Sequence, residues 1–425
     1  MPWWVRANNR GSDCPPIHAI SLEIFKWFCR DLRDIMAKNV CLVVQNPYWR
    51  DARVRREVMA LRSHGHKVSV ITLRDRNEAK QEVVDGVKIY RVALMKKRSG
   101  MLRYVYEYLA FFLYTIFKLN VLDLKEKFDV VHITTLPDFL VFSALIQKFK
   151  GRKILLDMHE VMPEFFMSKF KVGIGHPMVR LLLFIEKISL KFADEVVTIN
   201  EPIKRVFQTR AIPNKPITVV MNTVSASTVK TNGKRTHKGF NCVYHGTLTD
   251  IYGLDTAIEG FSKVRKKFPD MIFHIIGDGQ SLPQLKQLTE QLNLQQSIVF
   301  HGEMTYDKLI DLLAEMDLGI LAFRKDVFLN LSFSNKLAEY IYLKIPVVSS
   351  DLDATKYYFN DKHILFFEAG NANDLSHKVE FAYLNRGHIQ TIAESAFEQS
   401  KEFGWDVMAK RYLEVIERGR EKQKG

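Results

Sequence analysis

Cysteine is scarce and scattered in this sequence. Four stand in 425 residues, at positions 14, 29, 41 and 242. None pair at the short spacings of a zinc knuckle or a dithiol redox site, and the pattern fits a reducing compartment. A P-loop is also missing. The nearest stretch, "NGKRT" at 232–236, lacks the preceding glycine and the hydroxyl residue after Lys234. There is no zinc-finger spacing, RNA-recognition signature or helix-turn-helix pattern, which sets nucleic acid aside as a partner. The opening "MPWWVRANNRGSDCPPIHAI" has no apolar core of the length a secretory leader needs. Acidic residues are short in one half only. Through residue 225 there are 22 Asp and Glu against 37 Lys and Arg, whereas from 226 onward there are 26 against 25. The whole net charge of +14 therefore comes from the first half. Such a surplus is either a solvated basic surface or one that meets an anionic membrane.

What is present is a soluble globular composition, 47% hydrophobic and 26% charged. The chain is too long for one ordinary core, so two α/β domains are expected. Short apolar runs alternate with helical patterns. In the first half the runs are "NVCLVVQ", "KVSVITL", "VKIYRVA", "DVVHIT", "KILLDM", "EVVTIN" and "ITVVMN". In the second they are "NCVYHG", "MIFHIIG", "SIVFHG", "LGILAF", "IPVVSS" and "HILFF". Continuous Val, Ile and Leu of this kind marks parallel strands covered on both faces. The expected architecture is α/β, with two Rossmann-like, doubly wound parallel-sheet domains. Residues 1–35 fit no later pattern and are expected to be a poorly ordered extension, with "MAKNVCLVVQ" from Met36 opening the first domain, 36–222. A polar, basic linker at 223–239 leads to a second domain at 240–404.

One helical stretch, "YVYEYLAFFLYTIFKLNVL" at 104–122, is unusually apolar, interrupted by Glu107 and Lys118. It reads as a core helix or as a helix with one face available to lipid; a membrane span is the least favoured reading. The segment 50–98, with Arg53, Arg55 and Arg56 in "RDARVRR" and a further "MKKR", carries 14 Lys and Arg against 6 Asp and Glu. Aromatic bulk beside basic charge suits peripheral docking on an anionic membrane surface.

Open parallel sheets bind ligands at the carboxyl ends of their strands, so the polar residues there are the candidates. In the second half these are Gly246 and Thr247 in "VYHGTL", Gly277 and Gly279 in "IIGDG", and Glu303 after Gly302. Each Gly is equally explained by a tight turn. In "FSNKLAEY", Ser334 or Asn335 can cap a helix whose start attracts anions. Lys336 adds a full charge, and Glu339 can accept from a vicinal diol. That set suits a nucleoside diphosphate; a surface ion pair of Lys336 with Glu339 explains the same spacing. In the first half, Asp157, His159 and Glu160 follow one strand and His132 ends another, which suits acid–base or hydrogen-bonding work. A zinc site is the rival, on a thin ligand set.

In order and spacing these segments resemble the family 4 retaining glycosyltransferases of GT-B fold, from about Met36 to the end. The series runs through "LRSHGHKVSVITL", "FDVVHITTLPDFL", "LLDMHEVMPEFF", "ADEVVTINEPI", "VYHGTLTDIYGLDTAIEGF", "IIGDG", "VFHGEMTYDKL" and "NKLAEYIYLKIPVVSSD". "FGWDVMAKRYLEVIE" resembles the family's last helix, here 405–421, which crosses back to complete the first domain. The resemblance implies a UDP- or GDP-linked sugar donor held by Gly246, Thr247, Gly277, Glu303, Asn335, Lys336 and Glu339. It places His159 and Glu160 at the transferred sugar. It implies no metal and no other cofactor. The acceptor, a glycan or a lipid-linked molecule, would meet the first domain, where His132, Arg53, Arg55 and Arg56 are assigned to the acceptor or membrane side. The expected setting is the cytoplasmic face of the membrane, in cell-surface polysaccharide synthesis. The sequence departs from the family at Leu331, where a second glutamate is common. It departs again at Thr247 and Tyr252, where cations are common; Lys336, Arg324 or Lys325 is expected to supply that charge. These departures keep open a catalytically silent GT-B partner subunit, and a GT-B epimerase is a further alternative.

Overall fold

The computed structural model describes residues 37–75, 78–94, 101–224 and 237–419. The expected extension 1–35 and most of the expected linker lie outside the described residues. The first unit contains β1 (Asn39–Pro47), α1 (Ala52–Ser63), β2 (Lys67–Leu73), β3 (Gln81–Val84), β4 (Val87–Val92), α2 (Met101–Glu126) and β5 (Val130–Thr134). It continues through α3 (Leu145–Phe149), β6 (Lys153–Met158), α4 (Met162–Phe170), α5 (Pro177–Phe192), β7 (Glu195–Thr198), α6 (Glu201–Arg210) and β8 (Ile217–Val219). The second unit contains β9 (Phe240–His245), α7 (Leu254–Arg265), β10 (Met271–Ile276), α8 (Leu282–Gln291), β11 (Ile298–Gly302), α9 (Tyr306–Leu313) and β12 (Leu318–Leu321). It ends with α10 (Asn335–Tyr342), β13 (Val347–Ser350), α11 (Asp353–Tyr358), β14 (Leu365–Phe367), α12 (Ala372–Leu384) and α13 (Arg386–Ser400), followed by α14 (Trp405–Glu417).

The first sheet has the order β3-β4-β2-β1-β5-β6-β7-β8 and the second β11-β10-β9-β12-β13-β14. Every pairing is parallel except that of β3 with β4. All thirteen apolar runs became strands. The exception, β3, is a short edge strand with alternately exposed residues, and its side chains supply no apolar run. Helices cover both faces of the first sheet. One face packs Phe111 and Leu119 of α2, Leu140 and Leu190 against Cys41, Ile133 and Leu156. The other packs Val54 and Leu61 of α1 and Met408 and Ile416 of α14 against Leu42 and Leu155.

The last helix returns to the first sheet, where it packs on α1 and β8. Its stripe of Met408, Tyr412 and Ile416 is fully buried there. Two lysines of the first unit hold its C-terminal carbonyls. Lys38 Nζ donates to Ile416 O (2.9 Å) and Glu417 O (2.7 Å), and Lys153 Nζ to Val415 O (2.5 Å) and Arg418 O (3.0 Å). Cations at a helix C-terminus satisfy its orphan carbonyls and oppose the negative end of its dipole.

Candidate active site

Two adjoining cavities open at the carboxyl ends of the two sheets. The first, of about 450 Å³, is lined by Arg53, His159 and Glu160 from one unit and by Tyr252, Phe323, Ser334, Asn335 and Lys336 from the other. The second, of about 600 Å³, is lined by Trp49, Arg55 and Arg56 from one unit and by Tyr306, Asp307, Asn335 and Glu339 from the other. Ala52, Asn222 and Asn335 border both. The helix α10 thus presents Lys336 to one cavity and Glu339 to the next.

Ser334 stands at the N-cap of α10 but makes no side-chain capping bond. The first-turn N–H groups therefore keep their donors for a ligand at the helix start. The Lys336 ammonium lies 4.4 Å from the centre of the Tyr252 ring, 5.6 Å from that of Tyr244 and 5.7 Å from that of Phe323. Burial in this aromatic box pushes its pKa down to about 8, against the opposing pull of the Glu339 carboxylate. The lysine stem runs over Gly246, where a Cβ would sit 2.3 Å from Lys336 Cε. Gly246, with φ of +119°, leaves room for that passage. Glu339 Oε2 lies 3.1 Å from His245 Nε2, without a hydrogen bond between them, and is not held in a surface pair with Lys336.

Facing Lys336 across the first cavity is a buried polar chain at the ends of β5 and β6. Nε2 of His159 lies 2.7 Å from Asp157 Oδ2, and its backbone N–H donates to Thr135 Oγ1 at 3.0 Å. A carboxylate can only accept, so Nε2 carries a hydrogen and Nδ1 is the nitrogen that titrates. Burial opposes a charge on His159, but the Asp157 carboxylate outweighs it and the pKa is raised. The other Asp157 oxygen accepts from Arg53, whose Nε also reaches Glu57 Oε1 at 3.1 Å. Burial works against the Asp157 charge, but Arg53 and His159 hold its pKa well below the ordinary value. Glu160 is half-buried and its pKa is raised by that burial. Glu57, His132 and Asp157 also bring three metal-type ligand atoms within 4.8 Å of one another. Arg53 already sits against both carboxylates, filling the role a cation would have there.

Several sequence expectations need correction. His132 is fully buried and Arg53 is 4% exposed, so neither belongs to a membrane surface. His132 Nδ1 bonds the Tyr412 hydroxyl at 2.9 Å, and this joins α14 to the polar chain. Arg55 and Arg56 line the second cavity. Arg56 bonds Asn222 and stacks over Trp405 at 5.4 Å. Within the described part of the basic stretch 50–98, Arg91 pairs with Glu82 and Lys88 with Glu126, while Lys67 and Lys80 stay exposed; its "MKKR" lies outside the described residues. Arg324 cannot supply the missing donor-site charge, because Asp250 (3.2 Å) and Asp255 (2.5 Å) hold it. Lys325 lies 3.7 Å from Asp351. Gly277 packs closely, since a Cβ there would lie 2.0 Å from Gly246 O, and it lines neither cavity. Thr247 and Glu303 are exposed and line neither cavity. Sequence reading also passed over Tyr252 and Phe323 as walls of the lysine box.

The sequence signature described as "Glycosyl transferases group 1" matches residues 230–399, and that of the "Glycosyl transferase 4-like domain" matches 51–223. The chain belongs to the group 1 glycosyltransferases, of family 4 type. An uncharacterised glycosyltransferase of Methanocaldococcus jannaschii is 23% identical over 250 residues, 55% of each chain. The match thus spans about half the length of that curated relative. Among solved structures, sucrose-phosphate synthase from Thermosynechococcus elongatus superposes with a TM-score of 0.72 at 13% identity, over 89% of this chain and 98% of that one. Anabaena HepE in complex with UDP-glucose superposes at 0.65 and 13% identity, over 89% and 99%. These likenesses show the GT-B fold, to which this group 1 glycosyltransferase chain conforms.

Proposed function

We propose that the protein is a retaining glycosyltransferase that moves a sugar from a nucleotide-sugar donor to a glycan or lipid-linked acceptor. Its setting in this reading is the cytoplasmic face of a membrane, in cell-surface polysaccharide synthesis. The observation that carries the reading is the Lys336 ammonium, boxed on three rings at the open start of α10 and facing His159 across the first cavity. The donor diphosphate would meet that ammonium and the first-turn N–H groups. Its ribose diol would meet Glu339 in the second cavity, and the sugar would lie against His159 and Glu160. The HepE complex with UDP-glucose, on the same fold, supports a donor of this class.

In the transfer, the bond between the sugar's C1 and the diphosphate oxygen breaks and the acceptor oxygen bonds C1 from the same face. The departing phosphate oxygen takes the acceptor's proton. Lys336 and the helix start stabilise the charge that gathers on the leaving group, and neither needs to move. His159, held by Asp157, orients the sugar. This chemistry asks nothing of a metal.

Screening UDP- and GDP-sugars for hydrolysis or transfer, with Lys336→Ala and Glu339→Ala beside the wild type, tests the reading. Equal activity in all three chains would remove the donor site from α10. One observation favours a second reading, a catalytically silent partner subunit: Arg324 is neutralised and Tyr252 stands where the family commonly has a cation. Calorimetry separates the two, since a silent subunit of that kind binds neither UDP nor GDP.

A further inference from the structure

The helix α2 is built inside out. Its face toward the sheet buries Glu107, Thr115 and Asp123 beside Phe111 and Leu119. Its outward face shows Leu109, Leu113, Phe117 and Leu124, exposed by 48, 63, 69 and 72%. A helix on a water-facing surface carries the opposite pattern. Val105–Glu126 is long and apolar enough to cross a membrane, but both ends are tied to the sheet. Gln45 Nε2 donates to Glu107 O (3.3 Å) and Asn39 Nδ2 to Glu126 O (2.8 Å). The Glu126 carboxylate accepts from Ser69, Lys88 and Tyr90. A helix pinned in this way lies on a bilayer rather than through it.

Its neighbours extend the face. The helix α2 packs on α3, and both α2 and α5 pack on the turn at Asp138–Ala144. Phe149 of α3 is 84% exposed. On α5, Phe184 shares the outward face with Arg180, Lys187 and Lys191, which recur at helical spacing and are all exposed. The carboxylate of that helix, Glu186, is buried against Arg210. Among the described residues of 103–192, eight Lys and Arg are exposed against one carboxylate, Asp129. A second copy would bring two such cationic faces together, so self-association is opposed by charge. Anionic lipid headgroups complement it, and acyl chains accept the leucines and phenylalanines between them.

We propose that the outer face of α2, α3 and α5 docks on an anionic lipid bilayer, with Leu113 and Phe117 entering the acyl boundary and Lys187 and Lys191 meeting headgroups. This deepens the acceptor side of the function proposed above and rests on it for its purpose. The described arginines of 50–98 face the cleft or pair within the chain and take no part in this face.

The test is co-sedimentation of the full chain with vesicles of phosphatidylcholine alone or with phosphatidylglycerol, at low and high salt. UDP binding is followed by calorimetry on the same samples. The wild type binds the anionic vesicles and is weakened by salt. Leu113→Gln/Phe117→Gln lowers partitioning about ten-fold or more, Lys187→Glu/Lys191→Glu lowers it and flattens the salt dependence, and neither changes UDP affinity. Wild type that stays in solution, equal binding to neutral vesicles, or variants that bind like wild type overturn the proposal. So does a wild-type dimer in sedimentation velocity that Leu113→Gln/Phe117→Gln makes monomeric, which would give the face to a second copy. Vesicle binding without UDP binding supports the docking and strikes the donor reading instead.

Discussion

Asp157 and His159 are coupled at 2.7 Å through one carboxylate oxygen, while Arg53 holds the other. The contact joins β6 to α1 and fixes the ring that faces the donor lysine. The carboxylate is wholly buried, so its removal cannot be compensated by water.

Asp157→Asn leaves the Arg53 charge short of a partner in the interior. The expected loss of stability is about 3–5 kcal/mol, read by urea denaturation. Because the carboxylate raises the His159 pKa, the same change lowers it, which a histidine proton titration by NMR shows. An unchanged titration would disconnect Asp157 from His159.

A second cluster makes the fold acid-sensitive. His274 is buried between His301, at 2.9 Å, and Asn241, at 3.1 Å, and burial with the neighbouring imidazoles lowers its pKa from 6.5 to about 4. A histidine whose folded pKa is depressed binds protons more readily when unfolded. Its contribution is therefore complete above about pH 6.5 and is lost as pH falls toward about 4. The urea midpoint declines across that window, and His274→Gln flattens the decline.

The packing of Gly277 on Gly246 predicts intolerance of any side chain. Gly277 has φ of +124°, and its added Cβ would collide with the Gly246 carbonyl. Gly277→Ala is expected to cost roughly 1–3 kcal/mol. It should also weaken UDP binding, since the Gly246 loop carries the Lys336 stem. Thermal unfolding and calorimetry on one sample report both.

Glu339→Gln keeps the shape of the side chain and removes its charge. If the carboxylate holds the ribose, UDP affinity falls by about 1.5–3 kcal/mol. A 2′,3′-dideoxy nucleotide then binds wild type and variant alike. Equal loss for both nucleotides would place Glu339 away from the diol.

The two sheets were legible because strands covered on both faces must be apolar throughout. The edge strand β3 was not, because half of it faces water. Its signal was the Asp85-Gly86 pair, whose φ values of 50° and 75° make the tight turn into β4. The pairing of Lys336 with a helix start could be read from "FSNKLAEY", since it is local. The contacts of Arg53 with Asp157 and of His132 with Tyr412 could not. They join residues 104 and 280 positions apart, and they exist only once sheet order and the returning helix are set. The same limit kept the arginines of α1 from being divided between acceptor and membrane: helical spacing says which residues share a face, but not whether that face meets lipid, a cleft or a buried carboxylate.

The central claim is that Lys336 grips a donor diphosphate. Its most direct test is UDP calorimetry on wild type and Lys336→Ala at pH 7 and pH 9. An ammonium with a pKa of about 8 is charged at the lower pH and largely neutral at the higher. The wild type is expected to bind more tightly at pH 7, and Lys336→Ala to lose about 1.5–3 kcal/mol there along with the pH dependence. Equal affinity in the two chains at pH 7 would contradict it.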